Sequence, residues 1–599
     1  MGIKSPSELK SLTLSLMVKV SGVIIPDYYP LISLEVQHEV NRISHAELSF
    51  ADGAMDTKAF PISDSDHFVP GNALEILAGY HGEEQVSIFN GIIVKQSLEL
   101  NDHEAFHLMV SCKHQASCMT VNRKDAEFSE LKDGDILMKI IKANGLNGTV
   151  ASTSIVQETV TQKGATDWDF MLSRSEFYGF LVTCEKNNTL TIAAPQLNAD
   201  PVLRLAFGDS IQSFNAELDA QLQSPELEAA AWDIKTLTLL KANAKEPSFQ
   251  VQGNLSAKKL SGMLNQSKRN IFTGAPMEKA EIDAWADASL LKMRLSALKG
   301  KVSFQGNGSV LPGKLVLLEG VGARYSGKAF VSSVNHHIES GTWKTTVGFG
   351  LDDAPIAERE NFNFPPAAGQ LPAISGLQIA TVKNLFEDPQ SLHRIQLTLN
   401  SSADQQTGTW ARVANFYATA DAGSGFLPEI GDEVVVGFLD SNPRYPVVIG
   451  SLYSSSKAPV HPAKDNNNFI KSIITKGKLN LSFDDEKKVI TVSTPGGNKI
   501  ALDDENKKMV ISDPHGNVIT MDSNGISMQS DKDISIKAKG DISFNASGKI
   551  ELSAKSDAVI SGMNVSNKAK NGFTAEGTAT AELKSAGQTT VKGSIVMIN

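Results

Sequence analysis

Through most of the first 363 residues apolar and polar positions alternate with a period of two, as in Val86–Leu98 and Lys314–Leu318, which predicts half-buried strands. Two stretches break the alternation. Asp135–Ala143, led by Asp133 and Gly134, reads as a helix, and so does a longer stretch from about Met277 to Leu298. In the second, Ile282, Trp285, Ala286, Ser289, Leu290, Met293 and Ala297 share one helical face, and Gly300 ends it. A stripe of that kind packs a core rather than holding a ligand.

Residues 377–453 carry five short apolar runs: Leu377–Val382, Arg394–Leu399, Trp410–Ala414, Glu433–Phe438 and Pro446–Ile449. Turns rich in Gly, Pro, Asn and Asp separate them, the pattern of a small closed barrel of OB type. A Pro/Ala/Gly stretch at 364–376 and a Ser/Pro/Asn stretch at 454–468 read as linkers. The expected domains are therefore 1–363, 377–453 and 469–599.

The last of these follows a different period. Ile526, Ile534, Ile542 and Ile550 recur every eight residues. Met528, Ile536, Phe544, Leu552 and Ile560 follow two positions later, and Ala538, Ala546, Ala554 and Gly562 two after that. Polar residues lie between, and turn-forming steps at 539–541, 547–549 and 555–557 punctuate each octet. Eight extended residues span at most about 26 Å, too little to wrap a core and return, so an octet cannot close a rung alone. Three octets of one chain would make a triangular solenoid; one octet from each of three chains would make a trimeric needle with the apolar column on its axis. The second arrangement explains the small residue at a fixed position, where three copies converge. Upstream, Phe483-Asp484-Asp485 to Asn498 and Leu502-Asp503-Asp504 to Asn517 form an imperfect repeat of wider strand-turn-strand units feeding the octets. The sequence finishes on Val596, Met597, Ile598 and Asn599, which predicts an apolar docking tip with no further domain.

Composition narrows the function. With 56 Lys and Arg against 67 Asp and Glu, the net charge of −11 gives no basic excess for phosphate, and nucleic acid is excluded as a main partner. The barrel offers only Lys383, Arg394, Arg412 and Arg444 toward a nucleic-acid groove. Cys112, Cys118 and Cys184 are too few and too scattered for a disulfide framework or a four-ligand zinc site, as in a chain that folds in a reducing cytoplasm. Neither a signal peptide nor a membrane anchor is evident. All five tryptophans and all tyrosines precede the second linker.

Catalytic-looking motifs fail on context. Gly322 to Ala329 has P-loop spacing, yet Ala329 replaces the magnesium-holding hydroxyl and the flanks read as two strands, so a glycine-rich hairpin is expected. His336 and His337 adjoin in a strand and face opposite ways, so they do not share a metal. Asp64-Ser65-Asp66-His67 reads as a solvated turn. No catalytic, metal or cofactor site is expected.

Certain strings resemble the VgrG spike proteins of contractile injection systems, the type VI secretion systems and phage-tail-like particles, and related phage tail hubs and spikes. They are Trp410-Ala411-Arg412-Val413-Ala414, Phe426-Leu427-Pro428-Glu429-Ile430-Gly431-Asp432-Glu433-Val434-Val435-Val436-Gly437-Phe438, and Asn442 to Tyr453 with Pro446 and Gly450. Thr494-Pro495-Gly496-Gly497-Asn498, Leu502 to Glu505 and the octets resemble the same family, and Phe89-Asn90-Gly91-Ile92, Asp167 to Met171, Val334 to His337 and Gly341 to Thr345 match more thinly. The resemblance implies a mainly β homotrimer with an N-terminal β-barrel hub carrying helical insertions, an OB-fold collar, and a C-terminal triple-stranded intertwined β-helix needle. It implies a hexameric inner-tube protein, baseplate proteins, a PAAR-type tip protein, effector cargo and a target membrane touched mechanically. Assembly in the bacterial cytoplasm and ejection to the exterior or into target cells follow from it. The 15 or so residues of the second linker leave no room for the lysozyme some phage spikes carry. Rival readings are an exported adhesin or glycan-binding solenoid fibre, a phage tail spike, and an enzyme such as a β-helical lyase.

Overall fold

The computed structural model describes residues 3–8, 11, 13–100, 106–250, 252–263, 267–359, 362–400 and 408–598. The fold is mainly β, in two compact units, Met1–Leu452 and Tyr453–Asn599.

The first unit is organised by a 13-stranded sheet. Leu31–Glu39, His45–Ala51, Ala73–Tyr80, Val86–Glu99 and His107–Lys113 alternate buried and exposed positions and enclose one core, with Leu34, Leu48, Phe50, Phe68 and Ile76 sealed from solvent. Gly327–Glu339 pairs with Leu31–Glu39 on one side and Thr342–Phe349 on the other. It carries the sheet on to a second core around Val302, Phe304, Val316 and Val347. Glycine is required at Gly306, because a Cβ there would lie 2.1 Å from the buried Trp343 ring.

Among the described residues four α-helices interrupt the strands, where the sequence predicts two. Asp133–Ala143 and Lys279–Ser296 are the predicted pair. The longer one lays Ile282, Ala286, Leu290 and Met293 on Ala229, Ala231 and Ala242 of a three-stranded sheet, so its stripe is core. The additions are Ala257–Met263 and Asp167–Phe177. The latter starts at Thr166, whose Oγ1 accepts the Asp169 amide at 3.0 Å. It buries Trp168, Phe170, Met171 and Leu172 in one cluster.

The barrel closes in the order Gln378–Asn384, Ile395–Leu399, Thr409–Val413, Pro446–Ser451, Glu433–Phe438 and back to the first. Ala380, Val382, Ile395, Leu397, Ala411, Val434, Val436 and Val448 fill it.

The second unit opens with an antiparallel meander of seven strands from Ile470–Ile474 to Gly525–Gln529, each five residues long. Beyond Gln529 no strand ladder forms within the chain among the described residues. The backbone bends at 539–540, 547–548 and 555–556, at the turn steps read from the octets, and also at 531–532. No helix among the described residues is long and apolar enough to cross a membrane.

Candidate functional site

Strand register sets two apolar rows across the meander. Phe483, Ile490, Leu502, Met509, Met521 and Ile526 are successive cross-strand partners in one row. Ile473, Leu481, Val492, Ile500, Ile511, Ile519 and Met528 make the other. Between them on the opposite face run Ser482, Thr491, Ala501, Val510, Thr520 and Ser527. One face is therefore apolar and the other small and mostly polar, because side chains alternate along each strand. The rows end on Ile526 and Met528, the first two apolar positions of the octet series. The meander rows therefore lead in sequence straight into the octet series.

Among the described residues that face has no cover. Ile490 is 37% exposed, Ile500 44%, Ile526 68% and Met528 61%. In the octets Ile534, Ile536, Ile542, Phe544, Ile550, Leu552 and Ile560 are all exposed, Phe544 at 72% and Leu552 at 84%. Soluble single chains rarely leave so long an apolar line open. The main chain beyond Gln529 is equally uncommitted, with its donors and acceptors free of any ladder.

Val596, Met597 and Ile598 are exposed, and Asn599 lies outside the described residues. The barrel motif residues shape the barrel. Trp410 sits in the strand Thr409–Val413, and Pro446 and Gly450 in Pro446–Ser451. After Pro428 a tight turn brings the Asp432 carboxylate to the Glu429 amide at 2.9 Å. Gly431, at φ 81°, donates its amide to the Val382 carbonyl at 2.8 Å. These contacts tie the loop to the first barrel strand.

The chemistry-bearing groups lie elsewhere and serve packing. Gly322–Ala329 forms the expected hairpin, with Leu315–Glu319 antiparallel to Gly327–Glu339. His336 is buried, with its Nδ1 hydrogen-bonded to the Thr345 hydroxyl at 3.0 Å; burial pushes its pKa down to about 3. His337 faces out beside Glu339. His67 Nδ1 meets the Tyr29 hydroxyl at 3.2 Å, and the Asp66 carbonyl accepts from Asn72 at 2.8 Å. No group of three or more His, Cys, Asp or Glu converges as for a metal among the described residues.

Sequence reasoning misses a cleft of about 360 Å³ lined by His38, Ser44, His114 and Cys184. His38 donates from Nε2 to the Ile88 carbonyl at 2.7 Å and its Nδ1 meets Ser44 Oγ at 2.8 Å. His114 donates from Nε2 to the Glu185 carbonyl at 2.9 Å and accepts the Ala116 amide at Nδ1, 3.2 Å away. Both rings are held neutral by burial and fully used as ties between segments. Burial pushes the Cys112 thiol up to about 12, which leaves it inert as a nucleophile.

A family profile described as the Alg8 N-terminal domain matches residues 10–340, more than half of the chain. The chain belongs to the Alg8 N-terminal domain family. In this member the profile covers the 13-stranded sheet except Thr342–Phe349, together with its helical insertions. A second profile, the type VI secretion system/phage-baseplate injector OB domain, matches 378–453, the closed barrel. Curated relatives include the type VI secretion system spike protein VgrG2a of Pseudomonas aeruginosa, 32% identical over 114 residues, or 18% of this chain and 14% of that protein. Another is the spike protein VgrG3 of Vibrio cholerae, 27% identical over 128 residues, 19% of this chain and 12% of that protein. The chain thus spans a small part of either relative's length. Over less than a fifth of its length the chain is thus similar to VgrG spike proteins, and over 378–453 to the injector OB domain. Partial likenesses among solved structures include a tail protein of Neisseria meningitidis, at TM-score 0.42 and 13% identity over 58% of this chain and 99% of that one. A chain of a Francisella PdpA–VgrG complex gives TM-score 0.39 and 9% identity over 86% of this chain and 80% of that one.

Proposed function

We propose that three copies of this chain join through the uncovered apolar face to form the spike and hub of a contractile injection apparatus. The observation that carries this is the apolar series that leads in sequence from the meander rows into the octets, open both at its side chains and at its main chain. A single-chain solenoid would pair octets with one another, and no such ladder exists among the described residues. Three intertwined chains satisfy both deficits at once: each apolar residue meets its two copies on the axis, and each strand finds neighbours. Burying one such side chain stabilises the assembly by roughly 1.5–3 kcal/mol.

The 13-stranded unit then sits on a hexameric inner tube among baseplate proteins, the barrels form a collar, and Val596 to Asn599 receive a PAAR-type tip protein. The work is mechanical: the spike punctures a target membrane and carries effectors, and catalysis belongs to cargo or tip. Nucleic acid has no part in it. The particle assembles in the cytoplasm and is ejected outward.

Light scattering on the purified full chain tests the core of this reading. A mass of about three times 64.3 kDa is expected. A one-chain mass at concentrations well above micromolar would overturn it and favour an adhesin-like fibre.

A further inference from the structure

The octet array does not keep one phase to its end. Bends fall eight residues apart from 531–532 to 555–556 and again at 563; the next comes at 570–571, one residue early, and those at 578–579, 586–587 and 594–595 keep the new offset. The side-chain pattern makes the same shift independently. The small residues Ala546, Ala554 and Gly562 are followed after seven residues by Ala569, and then after eight by Gly577. With the shift, Val565 and Phe573 take the place held earlier by Ile542 and Ile550, and Leu583 and Val591 that of Phe544 and Leu552. Without it, Lys568, Glu576, Lys584 and Lys592 would occupy the column of Phe544 and Leu552. Charges converging on a closed apolar axis carry a desolvation cost that no partner there offsets.

We propose that the chain takes one seven-residue step between Gly562 and Ala569, and that this step makes the distal apolar face complementary only to further copies of the same chain in the same axial register. The inference rests on the three-copy reading. In a uniform array of octets, a copy displaced by eight residues loses contacts only at the ends, because every rung resembles the next. The step removes that degeneracy. A displaced copy sets seven residues against eight across the interval and turns its Lys and Glu positions toward its neighbours' apolar column. This is specificity by penalising the wrong pairing. An octet-bearing chain of another kind, without a step here, is rejected on the same ground.

Cysteine cross-linking in the full chain distinguishes the phases. Val565→Cys and Phe573→Cys place thiols on the axis if the step exists; Ser566→Cys and Thr574→Cys do so if the octets run on unshifted. Under a mild disulfide-forming oxidant, V565C and F573C are expected to convert most of the chain to covalent dimer on a denaturing gel. S566C and T574C should stay at the level of the unsubstituted chain, whose Cys112, Cys118 and Cys184 supply the blank. Cross-linking at 565 also requires that residue 565 of one copy meet residue 565 of another, which a displaced copy prevents. Greater cross-linking at 566 and 574, equal cross-linking at all four positions, or none at any in a particle of three-chain mass would overturn the step. A one-chain mass would instead overturn the three-copy reading beneath it. Two axial positions are used so that a defect in one variant leaves the other to decide.

Discussion

Arg174 holds Asp133 by two parallel hydrogen bonds, Nε to Oδ1 at 2.6 Å and Nη2 to Oδ2 at 2.8 Å. Tyr178 adds a third to Oδ2 at 2.7 Å, and burial, with that carboxylate beside it, pushes the phenol's pKa up. Asp133 is fully buried at the start of one helix and Arg174 lies in the last turn of another, so the pair joins Asp133–Ala143 to Asp167–Phe177. Arg174→Met leaves a buried carboxylate without its cation. The expected loss is about 3–5 kcal/mol. It is read as a lower urea midpoint of tryptophan fluorescence, and an unchanged midpoint would show that the pair is dispensable.

Three buried histidines set a pH dependence. Burial lowers the pKa of His38, His114 and His336 from the ordinary 6.5, the last to about 3. Below about pH 6.5 the unfolded chain therefore binds more protons than the folded one, and stability falls as pH drops toward 3. His114 adds a geometric cost, since its imidazolium cannot accept the Ala116 amide. His114→Asn keeps a side-chain acceptor and removes the titration, so its stability should decline less steeply between pH 6.5 and 4. All five tryptophans precede residue 453, so fluorescence follows the first unit alone. Parallel declines for variant and parent would count against the assignment.

On the axis, Phe544→Asp introduces three converging carboxylates, each costing several kcal/mol to bury. The heat resistance of the three-chain particle should disappear, while Ser543→Asp, one position along and facing outward, should leave it intact. Mass by light scattering after heating reads both. Survival of the Phe544 variant would place that residue off the axis.

Removal of residues 596–599 should abolish retention of a PAAR-type tip protein in a pull-down and leave the particle mass otherwise unchanged. Undiminished retention would move the docking surface elsewhere.

The barrel is legible in the sequence because each strand is a β-branched run closed by turn residues, and all five appear within two residues of their expected bounds. Asp167–Phe177 is not, since the helical spacing of Trp168, Met171 and Leu172 is not continued by an apolar residue: the next position on that face is Ser175. The Thr166 to Asp169 cap was the available signal. The octet column is legible only as far as Gly562. Past the step, apolar residues fall out of phase, and a period counted from Met528 lands on Lys568, Glu576, Lys584 and Lys592. The meander rows depend on register between hairpins, which a linear repeat leaves open. His38 and His114 are joined to the main chain by partners 50 and 71 residues away, beyond the reach of any local pattern.

The seven-strand meander also sets the order of events in folding. Its hairpins close between neighbours in sequence, so they need no partner chain and form early. The octets form no local ladder among the described residues, and on the three-copy proposal they wait for an encounter between chains. On the three-copy proposal, assembly then advances as a zipper, nucleated where three meanders meet and running toward Ile598, at a rate set by concentration. A nascent chain held too dilute, or too crowded with unlike apolar partners, meets its hazard in that interval.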